Sequence, residues 1–134
     1  MPRKKVNIQP TPKEVFEIAT QNFLKITCRA IERHGRGLVV LSGGSTPQGF
    51  FELLRKPPFV NEIAWQQMHI FWADERCVPA HDPQSNYGQA MQQLLTHMVI
   101  PPENIHPING SLEPAEAARQ YEHELRRFAQ PGQQ

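Results

Sequence analysis

Apolar residues recur along this 134-residue chain with two periods that take turns. Residues 1–10 read as a strand or an irregular lead-in. Val15, Phe16, Ala19, Phe23, Ile26 and Ala30 then return every three or four positions, which is one face of a helix. Thr11-Pro12-Lys13-Glu14 opens it: Thr11 caps, Pro12 suits the first helical position, and Glu14 is placed to reach back and complete a capping box. Gly35 and Gly37 end it, with Arg33 and His34 near the negative end of its dipole. Leu38-Val39-Val40-Leu41 is a continuous apolar run that predicts a strand buried on both faces. Ser42-Gly43-Gly44-Ser45-Thr46-Pro47 follows, then a helix carrying Phe50, Phe51, Leu53 and Leu54, broken by Pro57-Pro58. Residues 68–73 form a second strand that runs into Asp74-Glu75-Arg76. A polar loop over residues 77–85 leads to a third helix from Asn86 to His97, with Tyr87, Met91, Leu94 and Leu95 inward. Ile105–Ile108 is a short strand. Residues 114–129 form a last helix, with Ala117, Ala118, Tyr121, Leu125 and Phe128 inward, and 130–134 a frayed polar tail.

Alternating strands and helices predict an α/β fold: three layers, a mostly parallel sheet with helices on both faces. No repeat or boundary divides residues 1–134, so a single domain is expected. A hydrophobic fraction of 39% with 20% charged residues excludes a disordered chain. The net charge of +1 gives no whole-molecule attraction to nucleic acid or a membrane, so any affinity for an anion must be local. No stretch approaches the ~18 apolar residues of a membrane span, and no apolar segment follows the basic N-terminus as in a secretory signal. A cytoplasmic protein is the expectation. Cys28 and Cys77 lie far apart, in no metal or redox spacing, and are expected as two buried thiols.

In an open parallel sheet, ligands bind beyond the carboxyl ends of the strands. Two segments occupy such ends. The first is the glycine turn. Gly43 and Gly44 allow close backbone approach. The N–H groups of Gly44, Ser45 and Thr46, with the Ser45 and Thr46 hydroxyls, can surround a phosphate at a helix start. The same residues also suit a plain turn in which Ser or Thr only caps the helix. The turn lacks both the Gly-Lys-Ser/Thr ending of a phosphate-binding loop and the third glycine of a dinucleotide fingerprint. The second segment is Asp74-Glu75-Arg76. Its carboxylates suit acid–base work and Arg76 suits a phosphate, or the three form a solvated loop with a local ion pair. None of the six histidines has metal-ligand spacing; His81 follows Arg76 in the loop and reads as a surface residue. Trp65, Trp72 and the phenylalanines read as core.

Three stretches together resemble one family: Leu41-Ser42-Gly43-Gly44-Ser45-Thr46-Pro47, Trp72-Ala73-Asp74-Glu75-Arg76-Cys77-Val78-Pro79, and Ser85-Asn86-Tyr87 opening the next helix. In this order they are similar to the glucosamine-6-phosphate isomerase/6-phosphogluconolactonase family, over roughly residues 10–130. The resemblance implies a modified Rossmann-like fold and no metal or organic cofactor. It implies hydrolysis of 6-phosphoglucono-δ-lactone to 6-phosphogluconate in the oxidative pentose phosphate pathway. Its partner would be a small phosphosugar lactone, with no nucleic acid and no membrane. Gly43, Gly44, Ser45 and Thr46 would line the sugar-phosphate pocket, Asp74 would be catalytic at its edge, Arg76 would hold anionic substrate, and Ser85 and Asn86 would shape the wall. Arg76 favours the lactonase branch, since the isomerase/deaminase branch resembles Asp-Glu-Tyr there. The family's second half carries a Gly-x-Asp-Gly-His segment whose histidine is its general base, and no such segment occurs in these residues. The expectation is therefore the N-terminal part of a longer domain, incomplete at its C-terminus and prone to self-association. The alternatives are a phosphosugar isomerase or deaminase, and a non-catalytic phosphosugar-binding fragment.

Overall fold

The computed structural model describes residues 3–129. Helix α1 spans Pro12–His34. Thr11 caps it, its side chain accepting from the Glu14 N–H at 3.3 Å. The return half of the expected capping box is not made: Glu14 Oε2 is buried without a partner. The helix stops at Gly35 in the left-handed region (φ 73°), whose N–H donates to the Ile31 carbonyl. Its inward stripe matches the expected one in part: Phe16, Ala19, Phe23 and Ala30 are half-buried. Val15 and Ile26 are 46% and 66% exposed, whereas Thr20 and Thr27 are buried beside partly buried Phe23, Leu24 and Ile31. The threonines can lie inside because each hydroxyl donates to a carbonyl one turn back, Thr20 to Phe16 and Thr27 to Phe23, both at 2.7 Å.

Strand β1 (Gly37–Leu41) pairs in parallel with β2 (Met68–Trp72), from Gly37 opposite Met68 to Leu41 opposite Trp72. The crossover holds α2 (Gln48–Leu54), α3 (Phe59–Glu62) and a 3-10 turn at Trp65–Gln67, the last two unforeseen from the sequence. Helix α4 spans Asn86–Gln93. It breaks at Leu94 and resumes as a 3-10 turn over Leu95–His97 rather than continuing to His97, and both adjacent leucines are buried there. Helix α5 spans Pro114–Phe128.

The third strand expected at Ile105–Ile108 shrinks to one parallel bridge between Ile70 and Ile105. The His106 N–H donates to the Ile70 carbonyl at 2.8 Å. Beyond that, a side chain from α5 replaces the missing ladder. The Trp72 N–H donates to the Tyr121 hydroxyl at 2.9 Å, and that hydroxyl donates to the Trp72 carbonyl at 2.6 Å. The Trp72 backbone is thereby satisfied on the edge away from β1, where no strand follows. Burial raises the Tyr121 pKa, which keeps the phenol protonated for this double role.

The core lies on one side of the sheet, where Leu41, Met68, Ile70 and Trp72 pack with Phe51, Leu54, Ile63, Trp65, Ala90 and Leu94. The other side is covered only in part. Phe71, His69 and His106 lie under Phe128 of α5, but Leu38 and Val40 of β1 are 46% and 59% exposed. The expected burial of β1 on both faces is thus overturned: side chains alternate across the pleat, and α5 covers the β2 half only. In α5 itself Ala117 is buried, while Ala118 and Leu125 face outward, against expectation. The two thiols are not buried either: Cys28 is intermediate and Cys77 exposed. Among the described residues, no helix is long and apolar enough to cross a membrane. The tail at 130–134 lies outside the described residues.

Candidate functional site

Parallel pairing sends the two chemistry-bearing segments out of the same end of the sheet. The Ala73 N–H still donates to the Leu41 carbonyl at 2.9 Å, so the strands separate only as the two loops begin. Gly44 turns the first loop with φ 95°, a conformation open to glycine. Gly43 is required by close approach: a Cβ there would lie 1.9 Å from Asn86 Oδ1. Pro47 heads α2 and no side chain caps that helix, so Ser45 and Thr46 do not serve as its caps. Both are exposed, and the Ser45 carbonyl accepts from the Gln48 N–H at 3.2 Å.

The triplet after β2 divides its labour. The Glu75 carboxylate is fully engaged. Oε1 accepts from the Arg76 N–H at 2.8 Å and the Asn86 N–H at 2.7 Å; Oε2 accepts from the Ser85 hydroxyl at 3.1 Å and the Tyr87 N–H at 2.9 Å. It therefore holds the first amides of α4 and has no lone pair left for a proton in transit. Ser85 is the α4 cap, its Oγ accepting from the Gly88 N–H at 3.0 Å. Asp74 is exposed, tied only through Asn86, whose Nδ2 donates to its backbone oxygen at 3.2 Å and more weakly to its Oδ1 at 3.4 Å. Arg76 is exposed and donates to the Gln84 carbonyl at 3.0 Å.

Of the residues singled out from the sequence, Gly43, Asp74, Ser85 and Asn86 thus form one contiguous group, with Glu75 at its centre. Arg76 faces away along the loop towards Gln84. Asp74 and Arg76 also line a cavity of about 320 Å³ against Ile108, Gly110 and Tyr121, and Gly43–Thr46 are not among its walls. His81 is exposed, as expected. Among the described residues, no group of three or more His, Cys, Asp or Glu could hold a metal ion.

The sequence reading missed two features. One is the clamping role of Glu75, which adjacency to Asp74 disguised as a second catalytic carboxylate. The other is a chain of titratable groups under α5. His106 Nδ1 lies 2.7 Å from Glu124 Oε1, and its Nε2 lies 3.0 Å from His69 Nδ1. Burial, then the charges of His106 and Arg36, lower the His69 pKa. Burial pushes Glu124 up, but hydrogen bonds from Arg127 and His106 outweigh it and the net shift is down. No spacing signal foretold this trio, because its members come from three separate segments.

The family model described as glucosamine-6-phosphate isomerases/6-phosphogluconolactonase matches residues 10–134. The chain belongs to this family. Its relatives in the family include the 6-phosphogluconolactonase of Haemophilus influenzae, 46% identical over 65% of this chain and 38% of that protein. The 6-phosphogluconolactonase of Aggregatibacter actinomycetemcomitans is 37% identical over 87% of this chain and 48% of that protein. Among solved structures, the 6-phosphogluconolactonase of Thermotoga maritima superposes with a TM-score of 0.76 at 30% identity, over 85% of this chain and 50% of that one. A monomeric glucosamine-6-phosphate deaminase shares the fold at a TM-score of 0.81 and 20% identity. The chain spans about half the length, or less, of these relatives. The parallel α/β architecture of these solved structures is therefore present here over about half of their length.

Proposed function

We propose that this chain is the substrate-holding part of a cytoplasmic 6-phosphogluconolactonase. The observation that carries the reading is the contact sequence Gly43–Asn86–Asp74, which ties the glycine loop to the triplet at one end of two parallel strands. The Gly44, Ser45 and Thr46 amides and the two hydroxyls would receive the phosphate, since hydroxyls not engaged in capping are available as donors. Arg76 would meet the phosphosugar from the other loop after leaving Gln84. In the reaction, water loses a proton to a base as it adds to the lactone carbonyl carbon, the bond to the ring oxygen breaks, that oxygen takes up a proton to become a hydroxyl, and the carboxylic acid formed releases its proton to give the carboxylate. This needs a base for the water and donors for the developing oxyanion. Glu75 is unsuited to be that base because both its oxygens are saturated. Asp74 has the freer carboxylate of the pair. The family's Gly-x-Asp-Gly-His base is not in this sequence, so we expect binding of 6-phosphogluconate with little or no turnover. The exposed Leu38 and Val40 support self-association of the chain.

The test is calorimetric titration with 6-phosphogluconate. The wild-type chain should bind, and the double variant Ser45→Ala, Thr46→Ala should bind about tenfold or more weakly, as expected for lost hydrogen bonds to a charged group. No binding by the wild type, or equal binding by both, would overturn the reading.

A further inference from the structure

We infer that Glu75 is a positioning residue of this site: its carboxylate sets where Asp74, Asn86 and Arg76 stand, without touching the substrate. The inference rests on the phosphosugar reading of the loop end.

The geometry carries it in three steps. First, the four hydrogen bonds to Glu75 come from both flanks, one from its own successor and three from residues 85–87. The carboxylate is thus the joint between the end of β2 and the start of α4. Second, the residues assigned to the site on the triplet side hang on that joint. Asn86 is 2% exposed, and its backbone is held by Glu75 while its side chain reaches Asp74 on one side and abuts Gly43 on the other. Its Oδ1 is buried and has no partner. An amide so tightly placed transmits small shifts of α4 to both loops, since packed interiors deform little. Third, the opposite wall is closely packed. A Cβ on Gly110 would lie 2.4 Å from the Arg76 carbonyl and 2.5 Å from that of Val78. The backbone of residues 76–78 is therefore held between Gly110 and the Glu75 joint, and the Arg76 side chain starts from a fixed base.

The alternative is that Glu75 only stabilises α4. The two differ in coupling. Glu75→Gln keeps the shape but turns one oxygen into a donor aimed at two donors. Well below its melting temperature, this variant should bind 6-phosphogluconate about tenfold or more weakly, the scale of misplaced binding groups. The decisive measurement is a double-mutant cycle with Arg76→Ala. If Glu75 positions Arg76, removing Arg76 weakens binding in the wild type but adds little in the Glu75→Gln background. Fully additive losses would overturn the inference. Should Glu75→Gln fail to fold, Glu75→Asp, which keeps the charge and shortens the reach, is read in its place and should show an intermediate loss with the same non-additivity.

A ligand-free readout separates this inference from the site assignment. The Asn86 side-chain amide protons, whose own residue's backbone N–H is held by Glu75, should change shift and exchange faster in Glu75→Gln by NMR while helix content stays the same. A wild type that fails to bind sinks the phosphosugar reading, and the Asn86 signals then decide the positioning claim. Unchanged Asn86 signals sink it too.

Discussion

The two faces of the short sheet carry the same kind of residue and meet different fates. On one, Met68, Ile70 and Trp72 are sealed under α2, α4 and the turns that follow them. On the other, His69 and Phe71 of β2 are roofed by Phe128, while Leu38 and Val40 on β1 look into solvent. The strands themselves do not distinguish the faces. What differs is which amphipathic segment comes back over each half, so burial here follows connectivity and not hydrophobicity alone.

That contrast can be broken by matched truncations. Ile70→Ala on the sealed face should cost about 2–5 kcal/mol in urea unfolding, through lost transfer energy and the cavity left behind. Val40→Ala, on the strand next door, should cost under about 1 kcal/mol, and Val40→Lys should lower the mass seen by light scattering. Equal losses at the two positions would mean that a second layer covers β1 in solution.

A smaller effect should come from the edge of β2. Tyr121→Phe leaves a buried N–H and carbonyl of Trp72 without partners, and about 1–3 kcal/mol should be lost on that account. An unchanged midpoint would show that water replaces the phenol.

The smallest effect belongs to the roof over the open face. His69 has its pKa lowered by burial from its ordinary value near 6.5, so below that pH the unfolded chain takes up a proton that the folded chain resists. Glu124 is lowered from 4.5, so its contribution is present above that value and fades as pH falls further. Both act in one direction: the melting temperature should fall from pH 7.5 to 5.5 through His69, and further below 4.5 through Glu124. His69→Gln should flatten the first part of that profile and leave the second.

Much of this was legible in the chain because local rules acted alone. Thr11-Pro12 and Gly35 bound α1 as expected, and the runs at 38–41 and 68–72 are strands. Their parallel pairing brings the glycine turn and the acidic-basic triplet to one end, which the alternation of elements implied. The misses arose where distant partners decide. Apolar spacing misplaced two positions of the α1 stripe, Val15 and Ile26, and passed over Thr20 and Thr27, which bury hydroxyls bonded to their own helix. The strand at 105–108 had the right residues, but a tyrosine from another element took its place on β2. Glu75 looked like chemistry because it sits beside Asp74, and only the folded path of residues 85–87 shows where its oxygens go.

The Tyr121 contact has a consequence for how firmly the end of β2 is set. A neighbouring strand offers a rail of equivalent peptide groups, along which pairing can slip by two residues and still be satisfied. A single phenolic oxygen offers one docking point and no second choice. Trp72 is therefore pinned rather than threaded, and Asp74 stands two residues on from an anchor that cannot slide.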